Sequence, residues 1–591
     1  MKLVMKVFKH HFLLAIFVFL LIICGFALWY KIFLPEVYYF TAIMLSILIV
    51  VQLPRKKRKN LLILQIALLG LFLRNVYSLH TNYGVIPLDD GNWGYAVVKT
   101  FKEAAQIFVI RSSEPPVRLM EWYSQWPLLH TFTAILSEIA GIDPFFLAFL
   151  LPSIISLLSF SFVYFLVEDI RKVMGLSHMI TPLALLTYVI TAESLFWPSQ
   201  FVHQNLGILF VAIILRYIFL LQNFNRKYVT LILFFLFSVI ISHSYTSFVI
   251  VGFLVFLFFS SLILTKIRRS NAGHKLFEKY LSTQILSIAL VSFCFLIIWY
   301  ENYGVAVWSN ISYGLNRLIN LLLGIKELEY LPPSVTYPDA ITPSWALTLV
   351  TYRDIAIYIP AIFGFLVILF KKCNIAQRFT LISSVSALGS MFLVDNFVFR
   401  VAVFRLVVIF MPLICILSAS SYSQLFNKLK YRSQVIASIC MIVLVTSSFI
   451  GLWGHQFAPI YLFDPSVDPV NVGERYYDSI RVNNFFSRSL PIDNYQAILT
   501  DDPNPLAYLL SSKDYYKIKW IGTKERILIG PENKVIVCSF KDLFMYSCFA
   551  KRYSPLNTTQ EANDLRSKLN QQLGGLNQIF DDGKYRVWVH E

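Results

Sequence analysis

Charge is scarce in this chain. Of its 591 residues only 14% are Asp, Glu, Lys or Arg, against 57% apolar, and mean hydropathy is +0.63. A soluble domain so poor in charge would expose extended apolar surface, so that class is excluded. Acid is the scarcer sign: 34 acidic residues against 51 basic ones leave a formal charge of +17. The basic excess sits in short clusters between apolar runs. Topology control and contact with anionic membrane lipid account for it, and nucleic acid is not expected as a partner. The seven cysteines show no metal-ligand spacing. Cys24, Cys294, Cys373, Cys415 and Cys440 lie in or beside apolar runs as packing residues. Cys538 and Cys548 lie in a polar tail, where a disulfide and two free thiols both stay open. There is no internal repeat and no low-complexity stretch.

What is abundant is apolar sequence in runs of roughly 18 residues or more, the length that crosses a bilayer core. Spans are expected near 12–31, 35–53, 61–79, 144–168, 177–196, 206–222, 229–247, 249–266, 281–300, 354–370, 379–397, 401–420 and 433–453. The first follows Lys2, Lys6 and Lys9 but is long and lacks a small-residue cleavage site, so it reads as a retained span. The basic clusters are the N-terminus, Arg55–Lys59, Arg171–Lys172, Arg226–Lys227, Lys266–Arg269, Lys371–Lys372 and Lys428–Arg432. With about thirteen spans and a cytoplasmic N-terminus, all of them fall on the cytoplasmic side.

Three segments then lie outside. The first, 80–143, includes an expected surface helix over Trp126–Ile142. The second, 301–352, is rich in aromatics and proline. The third is the tail from 455. Its β-like runs at Ala497–Leu499, Val535–Phe540 and Tyr585–His590, and the capping box at Thr558–Glu561 with Leu565, Leu569 and Leu573 at helical spacing, predict a small α/β domain. Asn310-Ile-Ser312 and Asn557-Thr-Thr559 fit the glycosylation acceptor pattern, and both fall outside. The domain reading is therefore 1–60 (two helices and a basic loop), 61–454 (the helical core) and 455–591 (the extracytoplasmic domain). The fold class is an all-α polytopic membrane domain followed by that α/β domain.

The chemistry-bearing residues gather outside. Asp89 and Asp90, in LHTNYGVIPLDDGNWGY, form an acidic pair near the membrane surface, suited to a general base or a divalent cation such as Mg or Mn. A plain Asp-Asp-Gly turn is the alternative. His203 and Gln204 lie in the short outer loop before the span at 206–222, where an interfacial polar residue is the alternative to ligand contact. His243 lies in the His243–Ser247 turn, where helix–helix hydrogen bonding competes with ligand contact. Arg400 and Arg405 flank an outer turn, where a guanidinium needs an anion. A lipid phosphate and Asp395 are the two candidates.

The order of these features resembles the type-C membrane glycosyltransferases, which include oligosaccharyltransferase catalytic subunits, protein O-mannosyltransferases and lipid A aminoarabinose transferases. The likeness runs over residues 61–420. It rests on an acid in the first outer loop, an aromatic-Pro-apolar helix (Trp126-Pro127-Leu128), Gly141, and a span ending in the basic turn Glu168–Arg171. It implies Asp89 or Asp90 as catalytic base or metal ligand. It also implies a polyprenyl-phosphate sugar donor, with carrier contacts at Arg405, Arg400, His203, His243 and Gln204. Membrane lipid and an acceptor glycan, lipid or protein would be the other partners, in a multi-pass protein of the cell membrane. One departure stands out. Where relatives carry a second acid, this chain has His203-Gln204-Asn205. The tail also lacks the tryptophan-tryptophan-aspartate-tyrosine-glycine motif, which argues against asparagine as acceptor. A transporter or lipid flippase, or a non-catalytic assembly factor, is the competing reading. A transporter fits less well because neither inverted repeats nor paired broken helices are seen.

Overall fold

The computed structural model describes residues 2–30, 36–53, 59–80, 89–107, 123–191, 201–221, 226–267, 272–304, 344–370, 375–394, 403–428 and 431–450, five short strands beyond 496, and isolated positions elsewhere. The helices are α1 (Lys2–Tyr30), α2 (Glu36–Gln52), α3 (Lys59–His80), α4 (Asp89–Ala104), α5 (Leu128–Ala140), α6 (Pro144–Val173), α7 (Ile180–Ile190), α8 (Gln204–Leu220), α9 (Arg226–Ser242), α10 (Ser244–Ile267), α11 (Ala272–Asn302), α12 (Ser344–Phe370), α13 (Ile375–Val394), α14 (Val403–Lys428) and α15 (Tyr431–Ile450).

A helix stands at the position of every expected span. Among the described residues 7 helices are long and apolar enough to cross a membrane by length and composition: α1, α3, α6, α10, α11, α12 and α14. The chain is an integral membrane protein with a helical core. α14 is the most enclosed of these helices, and it packs against α12, α7 and α15. The short α7 is buried along its whole length, which suits a helix apolar on every face.

Local chemistry sets the turn that matters most for the site. α5 ends at Gly141 in the left-handed region (φ 64), which a residue without Cβ adopts freely. Asp143 then caps α6, accepting the Phe145 N–H at 2.8 Å, with Pro144 at the first helical position. The expected surface helix over Trp126–Ile142 is thus shorter, Leu128–Ala140.

At the basic end of the bundle one carboxylate ties three helices. Glu168 of α6 accepts from Arg171 Nη2 at 2.8 Å, from Lys59 at the start of α3 and from Thr181 of α7. Beside it Asp169 pairs with Arg216 of α8 at 2.8 Å, and that guanidinium lies over the Phe165 ring at 4.9 Å. Asn75 of α3 and Ser153 of α6 hydrogen-bond at 3.1 Å further along the same pair of helices.

The strands β1 (Ala497–Thr500), β2 (Ile518–Trp520), β3 (Val535–Phe540), β4 (Asn577–Asp581) and β5 (Tyr585–His590) form one sheet of order β2-β1-β3-β5-β4. β1 runs parallel to β2 and β3, with Ile498 in register with Ile518 and Ile536. β5 is antiparallel to β3 and β4, and the β4–β5 register shifts between Gln578 and Phe580. β1, β3 and β5 match the expected strands. β2 and β4 were not foreseen. The expected helix over 558–573 and Cys548 lie outside the described residues.

Candidate active site

At the end of the bundle opposite the basic loops, three histidines from separate parts of the chain meet. His203, just before α8, has its ring centroid 4.8 Å from that of His243, between α9 and α10, and 6.0 Å from that of His130 on α5. Aromatic rings close the cluster. Tyr123 stands edge-on to His203 at 4.9 Å, Trp126 stacks with it at 6.3 Å, and Phe201 meets His130 at 6.1 Å. Trp126 is itself packed with Ile240, Val251, Leu296 and Tyr300. The Tyr300 hydroxyl donates to the Ser244 carbonyl at 2.7 Å and bonds Ser247 at 2.8 Å, so the ends of α10 and α11 are fixed together around it.

Two close approaches bring the histidines together. A Cβ on Gly207 of α8 would sit 3.1 Å from Thr246 Oγ1, so the backbone of α8 lies against the Thr246 side chain at the start of α10. Thr246 also holds His243, whose Nδ1 accepts the Thr246 main-chain N–H at 3.1 Å and lies 2.7 Å from its hydroxyl. An Nδ1 that accepts is unprotonated, so the neutral ring carries its proton on Nε2. The second approach is on α4. A Cβ on Gly94 would sit 3.0 Å from His130 Nε2 and 3.1 Å from the Phe201 carbonyl, so α4 lies directly on the cluster.

The cluster is polar and enclosed. His130 is fully buried, and neither ring nitrogen meets hydrogen-bonding geometry. Burial pushes its pKa down to about 3, an effect that the Tyr123 main chain offsets only in part. Gln125 Oε1 and Gln204 Nε2 are likewise buried without a hydrogen-bond partner. Buried polar atoms without a protein partner are costly in a folded chain and mark candidate functional positions.

Asp89 and Asp90 open α4. They begin a helix instead of closing a turn, and carboxylates in a first helical turn are favoured by the helix dipole. Asp90 precedes Gly94 by one helical turn, so the two positions share one face of α4. For Asp89, Asp90 and Arg405 only the backbone is described, Arg405 near the start of α14; Arg400 and Asp395 lie outside the described residues. The site therefore brings together His203, Gln204 and His243. It also contains His130, Tyr123 and Trp126, which sequence reasoning did not single out as site residues. Trp126-Pro127 was noticed only as a helix signal, and the contact with His203 depends on folding. Among the described residues no three or more His, Cys, Asp or Glu side chains are arranged to hold a metal ion.

The helical fold resembles that of the type-C membrane glycosyltransferases, the class that the order of motifs also resembles, and the likeness is one of fold. No family model and no curated protein sequence matches the chain. Among solved structures, the chain is similar to the Archaeoglobus fulgidus oligosaccharyltransferase tethered to an acceptor peptide containing the NVT sequon, with TM-score 0.50 and 14% identity over 83% of this chain and 70% of that one. It is also similar to ArnT from Cupriavidus metallidurans bound to undecaprenyl phosphate, with TM-score 0.50 and 9% identity over 90% of this chain and 98% of that one.

Proposed function

We propose that this protein is an inverting glycosyltransferase that moves a sugar from a polyprenyl-phosphate-linked donor to an acceptor glycan, lipid or protein at the outer face of the cell membrane. One observation carries the reading. In a type-C fold, the helix that Asp89 and Asp90 open lies on a buried histidine and aromatic cluster at the end of the bundle away from the basic loops. The similar Cupriavidus protein was solved with undecaprenyl phosphate, which supports the donor class. The orientation follows from the one-sided basic clusters: about thirteen spans, N-terminus inside, sheet domain outside.

In the proposed step an Asp89 or Asp90 carboxylate takes the proton of an acceptor hydroxyl. The oxygen attacks the anomeric carbon. The bond from that carbon to the carrier phosphate oxygen breaks, its electron pair leaves with the phosphate, and the configuration inverts. His203, His243 and Gln204 contact the sugar or the phosphate, and Arg405 and Arg400 hold the phosphate. A guanidinium serves there better than an ammonium because it binds two phosphate oxygens at once.

The test is transfer from purified lipid-linked donor. Asp89→Asn and Asp90→Asn, singly and together, keep size and remove charge. Activity should fall on the order of 100-fold or more in at least one. Near-normal turnover in all three, with intact folding, would sink the proposal. The same assay with and without EDTA separates a base from a holder of Mg2+ or Mn2+. Arg405→Lys should weaken donor binding more than Arg400→Lys, because Arg405 lies nearer the middle of an apolar run.

A further inference from the structure

Two buried turns meet in the histidine cluster. In the first, the Trp126 N–H donates to the Tyr123 carbonyl at 3.4 Å; in the second, the Asn205 N–H donates to the Val202 carbonyl at 3.0 Å. The rings of Tyr123 and Trp126 both pack with that of His203, so the two turns are in contact. Each turn carries a glutamine at its third position, Gln125 and Gln204, and both are 2% exposed. His130 of α5 completes the group, its ring 6.0 Å from that of His203. Gly94 of α4 keeps a side chain off His130: a Cβ there would come within 3.0 Å of Nε2.

Gln125 Oε1, Gln204 Nε2 and both His130 nitrogens meet no partner in hydrogen-bonding geometry. Enclosed polar atoms of this kind destabilise a chain unless something else satisfies them. Their types define what would. An amide oxygen accepts, an amide nitrogen donates, and a neutral imidazole does one of each. A sugar hydroxyl both donates and accepts, so two neighbouring hydroxyls match this set. No member of the set is charged, since burial keeps the His130 ring neutral. Among the described residues the buried charged side chains are Arg74, Glu168 and Arg353, which belong to α3, α6 and α12 and to neither turn. A carboxylate or ammonium brought between the turns would lose its hydration with no counter-charge in either of them.

We propose that Gln125, Gln204 and His130 hold hydroxyl groups of the donor sugar, and that this sugar is an uncharged pyranose, neither a uronic acid nor an amino sugar. The inference rests on the glycosyl-transfer reading, because it names the substrate class of that same site. The carboxylate proposed as the base favours the same choice. It would repel a uronate, and an ammonium would neutralise it.

The experiment measures retention of lipid-linked sugars on the purified full chain in nanodiscs, with bare undecaprenyl phosphate as the baseline. The neutral probes are undecaprenyl-phosphate mannose, glucose and galactose. The charged ones are undecaprenyl-phosphate galacturonic acid and 4-amino-4-deoxyarabinose. At least one neutral probe should bind on the order of 10-fold tighter than the bare carrier, and the charged ones no tighter than it. Gln125→Met and Gln204→Met keep the length of the side chain and remove the amide. Each should cut the advantage of the sugar over the bare carrier about 10-fold, while the ligand-free unfolding temperature holds or rises because an unsatisfied buried atom is gone. A charged probe that binds as well as the best neutral one would overturn the proposal, as would no neutral probe binding above the baseline. Methionine variants that unfold earlier and keep sugar binding would assign the amides to structure instead, and the probe panel on the parent decides even where a variant does not fold. A neutral sugar bound but never transferred would sink the glycosyl-transfer reading alone; transfer from a charged donor would sink this inference alone.

Discussion

His243 accepts the main-chain N–H of Thr246 on its Nδ1 at 3.1 Å, and so it caps α10 while its ring forms one wall of the histidine cluster. One side chain thus has a structural task on one side of its ring and, on the proposed reading, a chemical one on the other. The two separate by substitution. An asparagine oxygen falls near the position of Nδ1, so His243→Asn should keep the cap, whereas His243→Ala should lose about 1 kcal/mol with it. Both lack Nε2, so both should lose sugar transfer. Thermal unfolding in detergent beside transfer assays reads the two effects. Equal stability of the two variants would show that the cap is not the structural role.

His130 makes the protein sensitive to acid. Its folded-state pKa is pushed down by burial to about 3, against an ordinary value of 6.5. The folded ring therefore stays neutral while the unfolded chain takes up a proton. The sign follows: stability is full above the ordinary value and falls as pH drops through the window from 6.5 toward 3. Between pH 7 and 5 the loss from this group is about 2 kcal/mol. His130→Gln cannot titrate, so its unfolding temperature should fall less over that range than that of the parent. Parallel curves would contradict the assignment.

Much of this was legible in the sequence, and the remainder has physical reasons. Spans announce themselves by composition, and a helix stands at each expected position. The stop and start at Gly141, Asp143 and Pro144 could be read because each residue type acts through its own backbone. Asp89 and Asp90 allowed a turn because Asp-Asp-Gly suits one; they open a helix instead, one followed by the buried run Ala96, Val97 and Val98. The meeting of His130 with His203 and His243 was not legible, since it depends on α4 lying on the cluster over Gly94 and on α8 meeting α10 over Gly207. β2 escaped notice at 3 residues, and β4 because its register shift interrupts the alternation that marks a strand. Arg353 was also missed. It sits fully buried on α12, bonded to Asp354 at 3.0 Å, and adjacent charges in a span edge look from sequence like a boundary.

Glu168 should matter to stability far more than its neighbour Asp169. Glu168 is almost enclosed and neutralises both Lys59 and Arg171, so Glu168→Gln leaves two cations without their partner. A fully buried pair broken in this way costs about 3–5 kcal/mol, and the partial exposure of both cations reduces that to roughly 2 kcal/mol. Asp169 and Arg216 are more open, and Asp169→Asn should cost less than about 1 kcal/mol. Unfolding in detergent ranks the two, and the reverse order would show that Glu168 does not tie α3, α6 and α7.

The sharpest packing constraint is at Gly364 on α12. A Cβ there would overlap the Leu417 carbonyl of α14 and lie 2.6 Å from its carbonyl carbon. Backbone cannot rotate away as a side-chain tip can, so Gly364→Ala must push α12 off α14. These two helices are the most extensively packed pair in the bundle, and Tyr422 of α14 also donates to the Ala356 carbonyl at 2.8 Å across the same seam. Within a membrane, helix association depends on such close packing because lipid offers the same apolar surroundings as a neighbouring helix. Gly389 on α13 supplies the control: nothing lies within 4 Å of its would-be Cβ. Gly389→Ala should be neutral or stabilise by up to about 1 kcal/mol through helix propensity. Gly364→Ala should instead lower the unfolding temperature strongly and reduce the yield of monodisperse protein. If the two alanines behave alike, α12 and α14 are not in backbone contact at this point.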